Sequence, residues 1–183
     1  EEYIFLDEGD TSRITPNDIR IWNEEGKEVN RPVVVAKSTE GLVDKGDYRH
    51  FMQKEIQEQP TKINELMMGH LTKEGVSANI FGPTAPEVFS KINHVQIVAC
   101  GTSYHAGLVA KHWLEAIAGI SCSVDVASEF RYRNVVVKKG TLFVTLSQSG
   151  ETADTLACLR DISNSGYVSS LAICNVPTSS LVR

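Results

Sequence analysis

The chain has 183 residues, 42% of them hydrophobic and 22% charged, which is too apolar to stay disordered and suits one average domain, or one domain plus pieces of another. A formal net charge of -5 excludes broad binding to a nucleic-acid backbone, which needs a basic face, so any phosphate must be held by locally aimed donors. No run approaches the ~18 apolar residues of a membrane span, and Glu1-Glu2-Tyr3 does not open a signal peptide.

Residues 1 to 35 read as β structure. Tyr3-Ile4-Phe5-Leu6 is a short apolar run ended by the turn cluster Asp7-Glu8-Gly9-Asp10, and Ile19 to Asn23 alternates before a turn at Glu24-Glu25-Gly26-Lys27. Two or three hairpin strands cannot bury a core by themselves, so this piece is expected to belong to a larger sheet. The missing initiator Met and the strand-like opening predict a chain that starts mid-domain. Val33 to Asp47 has no sustained period, contains Ser38, Thr39, Gly41 and Gly46, and reads as a linker.

From Tyr48 the period becomes helical, with Met52, Ile56, Gln59, Ile63, Leu66 and Met67 recurring at spacings of three and four. Pro60 is expected to kink or divide this helix. A second short helix is expected at Ala85 to Lys91.

Val95-Gln96-Ile97-Val98-Ala99-Cys100 is a nearly continuous apolar run, the pattern of a strand buried on both faces. Gly101-Thr102-Ser103 breaks it, and a helix to about Ala118 follows, with Ala106, Val109, Ala110, Trp113, Leu114 and Ile117 on one stripe and Gly119 as its C-cap. Further strands are expected at Cys122–Ala127, Thr141–Leu146 and Leu171–Cys174. Between the last two lies a helix with Ala153, Leu156, Leu159 and Ile162 inward, stopped by Gly166. This alternation predicts an α/β fold, a parallel sheet with helices on both faces. A fifth βα unit is the usual completion, so the C-terminal end also reads as cut.

Cys100, Cys122, Cys158 and Cys174 show no C-x-x-C pairing and no histidine at metal spacing. Each sits in an apolar run, which favours reduced core cysteines and a cytoplasmic location. No metal or cofactor is expected.

Open parallel sheets bind ligands at the carboxyl ends of their strands, where helix N-termini offer free N–H groups. Two loops occupy that position: Cys100-Gly101-Thr102-Ser103, and Ser147-Gln148-Ser149-Gly150-Glu151-Thr152. The small hydroxyls of Thr102, Ser103, Ser147, Ser149 and Thr152 donate at short reach, while Gly101 and Gly150 admit close backbone approach. A hydrogen bond to a charged acceptor contributes roughly 1.5–3 kcal/mol and a helix end about 0.3–1 kcal/mol, so a few donors hold a phosphate without a lysine. The bland alternative is that Thr102 and Ser147 only cap helices; two such loops on one sheet favour the ligand site.

No G-x-G-x-x-G, P-loop or G-x-S-x-G pattern is present. His112 reads as a surface or boundary residue, and His105 stays open because it lies near the first loop. Glu129, Arg131 and Arg133 reach toward a sugar or form a solvated or subunit-contact cluster.

Cys100-Gly101-Thr102-Ser103-Tyr104 and the ten residues Leu146-Ser147-Gln148-Ser149-Gly150-Glu151-Thr152-Ala153-Asp154-Thr155 closely resemble the glutamine–fructose-6-phosphate amidotransferase family. So do Ala127-Ser128-Glu129-Phe130-Arg131-Tyr132, Met52-Gln53-Lys54-Glu55-Ile56, Glu58-Gln59-Pro60 and Tyr3 to Asp10, so the resemblance runs along essentially the whole chain. It implies that 76–183 is the first SIS (sugar isomerase) domain of two, a three-layer αβα, flavodoxin-like fold truncated at its C-terminus. Residues 1–35 would then be the tail of a glutaminase domain, and 36–75 an interdomain linker and helix. It also implies that Thr102, Ser103, Ser147, Gln148, Ser149 and Thr152 bind fructose 6-phosphate, mostly at its phosphate, and that SIS domains pair as a homodimer.

In that family the nucleophilic N-terminal cysteine would precede residue 1. The Schiff-base lysine and the acid–base Glu and His would lie beyond Arg183. No catalytic residue is therefore expected within the chain, and the fragment alone is expected to be inactive. The alternatives are a non-catalytic SIS module that senses a sugar phosphate, and a folding and dimer scaffold.

Overall fold

The computed structural model describes residues 2–35, 44–73, 75–162 and 165–183. Most of the expected 33–47 linker, including Ser38, Thr39 and Gly41, lies outside the described residues. The chain divides into two compact units, Glu1–Gly69 and His70–Arg183.

Among its described residues the first unit holds five short strands and one long helix. Strand β1 (Glu2–Ile4) pairs antiparallel with β5 (Val33–Val35), and β2 (Thr11–Thr15), β3 (Asp18–Trp22) and β4 (Glu28–Val29) form an antiparallel meander. Ile21 is the buried apolar side chain among the described residues of this unit, while Ile14 and Val35 are exposed. A polar clasp compensates in part: the Arg31 guanidinium meets Asp10 at 2.8 Å and Asp7 at 2.7 Å.

Helix α1 (Phe51–His70) runs through Pro60 without a break and buries none of its residues. The expected division at Pro60 does not occur. Proline removes one N–H and crowds the preceding turn, but on an exposed helix water can satisfy the carbonyl left over.

The second unit begins with a hairpin of β6 (Leu71–Thr72) and β7 (Gly75–Val76), a 3-10 turn at Ala78–Phe81 and the short helix α2 (Ala85–Phe89). Its body is a parallel sheet of β8 (His94–Ala99), β9 (Ser121–Val126), β10 (Thr141–Ser147) and β11 (Ser169–Cys174), in the order β11-β10-β8-β9. The central strands β8 and β10 are buried along almost their whole length, as their apolar runs require.

One face of the sheet presents Val95, Ile97, Cys122, Leu142 and Val144 to Ala110 and Leu114 of helix α3 (Gly101–Ala116) and to Val88 and Phe89 of α2. The other packs Val98 and Phe143 against Ala127 and Phe130 of the short helix α4 (Ala127–Phe130) and Cys158 of helix α5 (Ala153–Asp161). Helices on both faces give the expected three-layer αβα architecture.

Two helix faces differ from the pattern. In α3 the buried residue is Gly107, where an added Cβ would lie 3.1 Å from both Ile97 Cγ2 and Val124 Cγ1. The helix therefore sits close on the sheet through Gly107, Ala110 and Leu114, leaving Val109, Trp113 and Ile117 exposed. In α5 the fully buried positions are Thr155 and Cys158, with Leu159 and Ile162 packed beside them. Ala153 and Leu156, both expected inward, are not among them.

All four cysteines are free. Burial pushes the Cys122 and Cys158 thiols up to about 11, so they behave as small hydrophobes rather than nucleophiles. No described helix is long and apolar enough to cross a membrane.

Candidate functional site

From β8 the chain passes to β9 on one side and then returns to β10 on the other, so the topological switch point lies between β8 and β10. Ala99 and Leu146 are register partners across those strands. Cys100 and Ser147 therefore leave the sheet side by side, about one strand spacing of 4.8 Å apart. From there α3 goes to one face and α5 to the other. Their N-termini, with unpaired N–H groups and positive dipole ends, flank the same crevice.

The first segment is tighter than a loop. Strand β8 ends at Ala99, Cys100 is an extended N-cap, and helix α3 begins at Gly101, whose φ of +55° makes the sharp strand-to-helix turn possible. Thr102 and Ser103 thus sit in the first helical turn, with Thr102 exposed.

The second segment is a true loop, Ser147 to Thr152. Ser147 is buried, and its Oγ accepts the Gly150 N–H at 2.9 Å. Ser149 is exposed, and its Oγ accepts the Glu151 N–H at 3.2 Å. Each hydroxyl keeps its own O–H free to donate elsewhere. Gln148 is exposed beside them. Thr152 is the N-cap of α5, but its side chain makes no capping bond.

Helix capping does not account for these hydroxyls. The N-caps of α3 and α5 are Cys100 and Thr152, and neither side chain bonds its helix. The six residues Thr102, Ser103, Ser147, Gln148, Ser149 and Thr152 therefore share one edge of the sheet, at two facing helix starts.

Two carboxylates border this edge, and both are engaged away from it. Glu151 Oε1 accepts the Ser180 N–H at 2.8 Å, and hydrogen bonds from the Ser180 side chain and backbone hold its carboxyl below the usual range. Asp154 meets Arg131 Nη1 at 3.4 Å. Arg133 in turn pairs with Asp125 at 3.1 Å, so the two arginines are tied into ion pairs. His112 lies exposed on α3, as a surface residue. The His105 ring is exposed and stacks edge-on against Tyr104, with centroids 5.4 Å apart.

The sequence did not single out Glu151, Ser179 or Ser180, because their association spans 29 residues of chain and follows no local pattern. An apolar groove of about 570 Å³, bordered by Phe81, Phe89, Trp113, Leu171 and Ile173, lies on the α3 face. It offers almost no polar group to an anion. The polar edge between the two helix starts is the chemically suited place.

The profile of the SIS domain family matches residues 88–183, which includes both helix starts. The chain belongs to the SIS domain family. The glutamine–fructose-6-phosphate aminotransferase (isomerizing) of Pseudomonas putida is 54% identical to it over 183 residues, all of this chain and 30% of the relative. The enzyme of the same name from Escherichia coli is 51% identical over 181 residues, 99% of this chain and 30% of that one. The chain thus spans about 30% of the length of the curated relatives it matches. Among solved structures, the C-terminal domain of glucosamine-fructose-6-phosphate aminotransferase from Francisella tularensis superposes with a TM-score of 0.74 at 52% identity, over 77% of this chain and 40% of that chain.

Proposed function

We propose that this chain is the sugar-phosphate-binding segment of an enzyme that makes glucosamine 6-phosphate from fructose 6-phosphate and glutamine. Thr102, Ser103, Ser147, Gln148, Ser149 and Thr152 hold fructose 6-phosphate, mostly through its phosphate. Residues 1–35 are the tail of a glutaminase domain, 36–75 the linker and its helix, and 76–183 most of the first SIS domain. The enzyme works in the cytoplasm as a homodimer paired through its SIS domains.

One observation carries the reading: two helix N-termini rich in small hydroxyls meet at the switch point between β8 and β10. Such a site suits a phosphate ester because aimed N–H and O–H donors replace its hydration without an overall positive field. The names of relatives at 51–54% identity supply the substrate class.

Titration calorimetry of the 183-residue chain tests the binding half. Fructose 6-phosphate binds, inorganic phosphate competes, and fructose does not bind measurably. Glutamine-dependent formation of glucosamine 6-phosphate by the longest reading frame containing this segment tests the catalytic half. Sugar-phosphate binding without that turnover would instead mean a sensing module.

A further inference from the structure

The Ser147–Thr152 loop contains a carboxylate next to its anion-facing hydroxyls, where a free negative charge would repel a phosphate. The structure turns that charge into an anchor. Glu151 Oε1 accepts the Ser180 N–H at 2.8 Å, while the Gly150 carbonyl, one residue earlier, accepts the Leu181 N–H at 3.1 Å. The Gln148 carbonyl receives the Cys174 thiol at 3.7 Å from the end of β11. Residues 148, 150 and 151 are thus tied by the end of β11 and the segment that follows it.

The strap making these bonds is itself fixed. Ser179 and Leu181 are buried, the Ser179 N–H bonds the Val176 carbonyl at 3.1 Å, and the Ser179 hydroxyl lies 3.4 Å from Cys174 Sγ. It passes so close to the loop that a Cβ on Gly150 would fall 2.1 Å from Ser179 Oγ, and Gly150 has a φ of +69°. The approach and the conformation both demand glycine.

We propose that Glu151 is a positioning residue for the sugar-phosphate site. By latching the Ser179–Leu181 strap, it holds the Ser147–Thr152 loop in the conformation that presents Ser147 and Ser149 to the ligand. This rests on the sugar-phosphate reading of the loop. A loop already ordered in its binding shape loses less freedom when the ligand arrives, which is where the gain in affinity comes from. The hydrogen bonds to Ser180 also satisfy the carboxylate on the strap side, leaving the loop's donors to the phosphate.

The test compares the wild-type chain with Glu151→Ala and Glu151→Gln, reading fructose 6-phosphate affinity and amide hydrogen exchange. Glu151→Ala is expected to bind about five- to tenfold more weakly, less than the full loss of a charged hydrogen bond because the effect is indirect. Exchange at Ser180 and Leu181 should rise, while protection along β8 stays as in the wild type, which separates a loosened strap from global unfolding. Glu151→Gln keeps an acceptor oxygen and is expected to recover most of the affinity and protection. Unchanged affinity in Glu151→Ala, or a Glu151→Gln no better than it, overturns the proposal. A wild-type chain that ignores fructose 6-phosphate overturns the sugar-phosphate reading and the binding role with it, and the exchange data then decide the latch separately.

Discussion

Ala99 of β8 and Leu146 of β10 stand opposite each other at the carboxyl edge of the sheet, and the chain leaves that edge in two directions immediately after them. This places the Thr102–Ser103 turn beside the Ser147–Thr152 loop. An acidic protein can in this way concentrate donors on one anion, since helix ends and hydroxyls act only over their own first turn.

Removal of one hydroxyl tests the loop. Ser149→Ala is expected to weaken fructose 6-phosphate binding about ten- to a hundredfold, the range for a hydrogen bond to a charged acceptor. The loss should be much smaller for a sugar without the phosphate. Ser165→Ala is the control: that hydroxyl is exposed beyond the end of α5 and bonds the Asp161 carbonyl. Calorimetry on both variants measures the difference, and equal losses would mean the loop serves only its own turns.

Gly107 decides how closely α3 lies on the sheet. Gly107→Ala gains about 1 kcal/mol of helix propensity. Contacts at 3.1 Å to Ile97 and Val124 offset that gain, so the net change in stability is expected near zero. Gly107→Val adds bulk with no room to accept it and is expected to cost about 1–3 kcal/mol. Urea unfolding of the two variants gives the comparison, and equal stability would place the helix farther from the sheet.

Thr145 and Thr155 are buried, and their hydroxyls have no hydrogen-bond partner among the described residues. Replacing an unpaired hydroxyl by a methyl of the same shape removes a desolvation cost of about 1–3 kcal/mol. Thr145→Val, in the strand β10, is therefore expected to raise the thermal midpoint. Thr145→Ser, which keeps the hydroxyl and loses a methyl, is expected to lower it.

His94 sits buried at the amino end of β8, with Nδ1 2.7 Å from Ser121 Oγ. Burial, reinforced by Lys138 and opposed by Glu115, lowers its pKa below the ordinary value of 6.5. The unfolded chain then binds a proton there more readily than the folded one. Its contribution is present above pH 6.5, and is lost as pH falls through the folded pKa. Thermal midpoints across that window should decline in the wild type and decline less in His94→Gln. Matching slopes in the two proteins would assign the acid sensitivity to other groups.

The sheet was legible because its central strands are doubly buried. Runs such as Val95–Ala99 and Leu142–Leu146 are short, apolar and bounded by turn residues, as strands covered on both faces are, and the helices between them fix parallel order. The two hydroxyl-rich segments were legible for the related reason that ligand edges follow strand ends. Helix faces were read less well. In α3 the contact is made through Gly107, a residue with no hydropathy signal, and in α5 the polar Thr155 is buried while Leu156 is not. At Pro60 the helix is not divided, because the lost N–H and the crowded turn lie on an exposed helix where water can satisfy the remaining carbonyl. The Glu151–Ser180 bond joins distant segments, and nothing local in either announces the other.

The central claim concerns where the phosphate goes, and a crystal structure with fructose 6-phosphate bound tests it most directly. The account predicts the phosphate in the crevice between β8 and β10, hydrogen-bonded by the Thr102–Ser103 turn and by the Ser147, Ser149 and Thr152 hydroxyls. Phosphate density at Arg131 and Arg133, or sugar lying in the apolar groove beside Trp113, would contradict it.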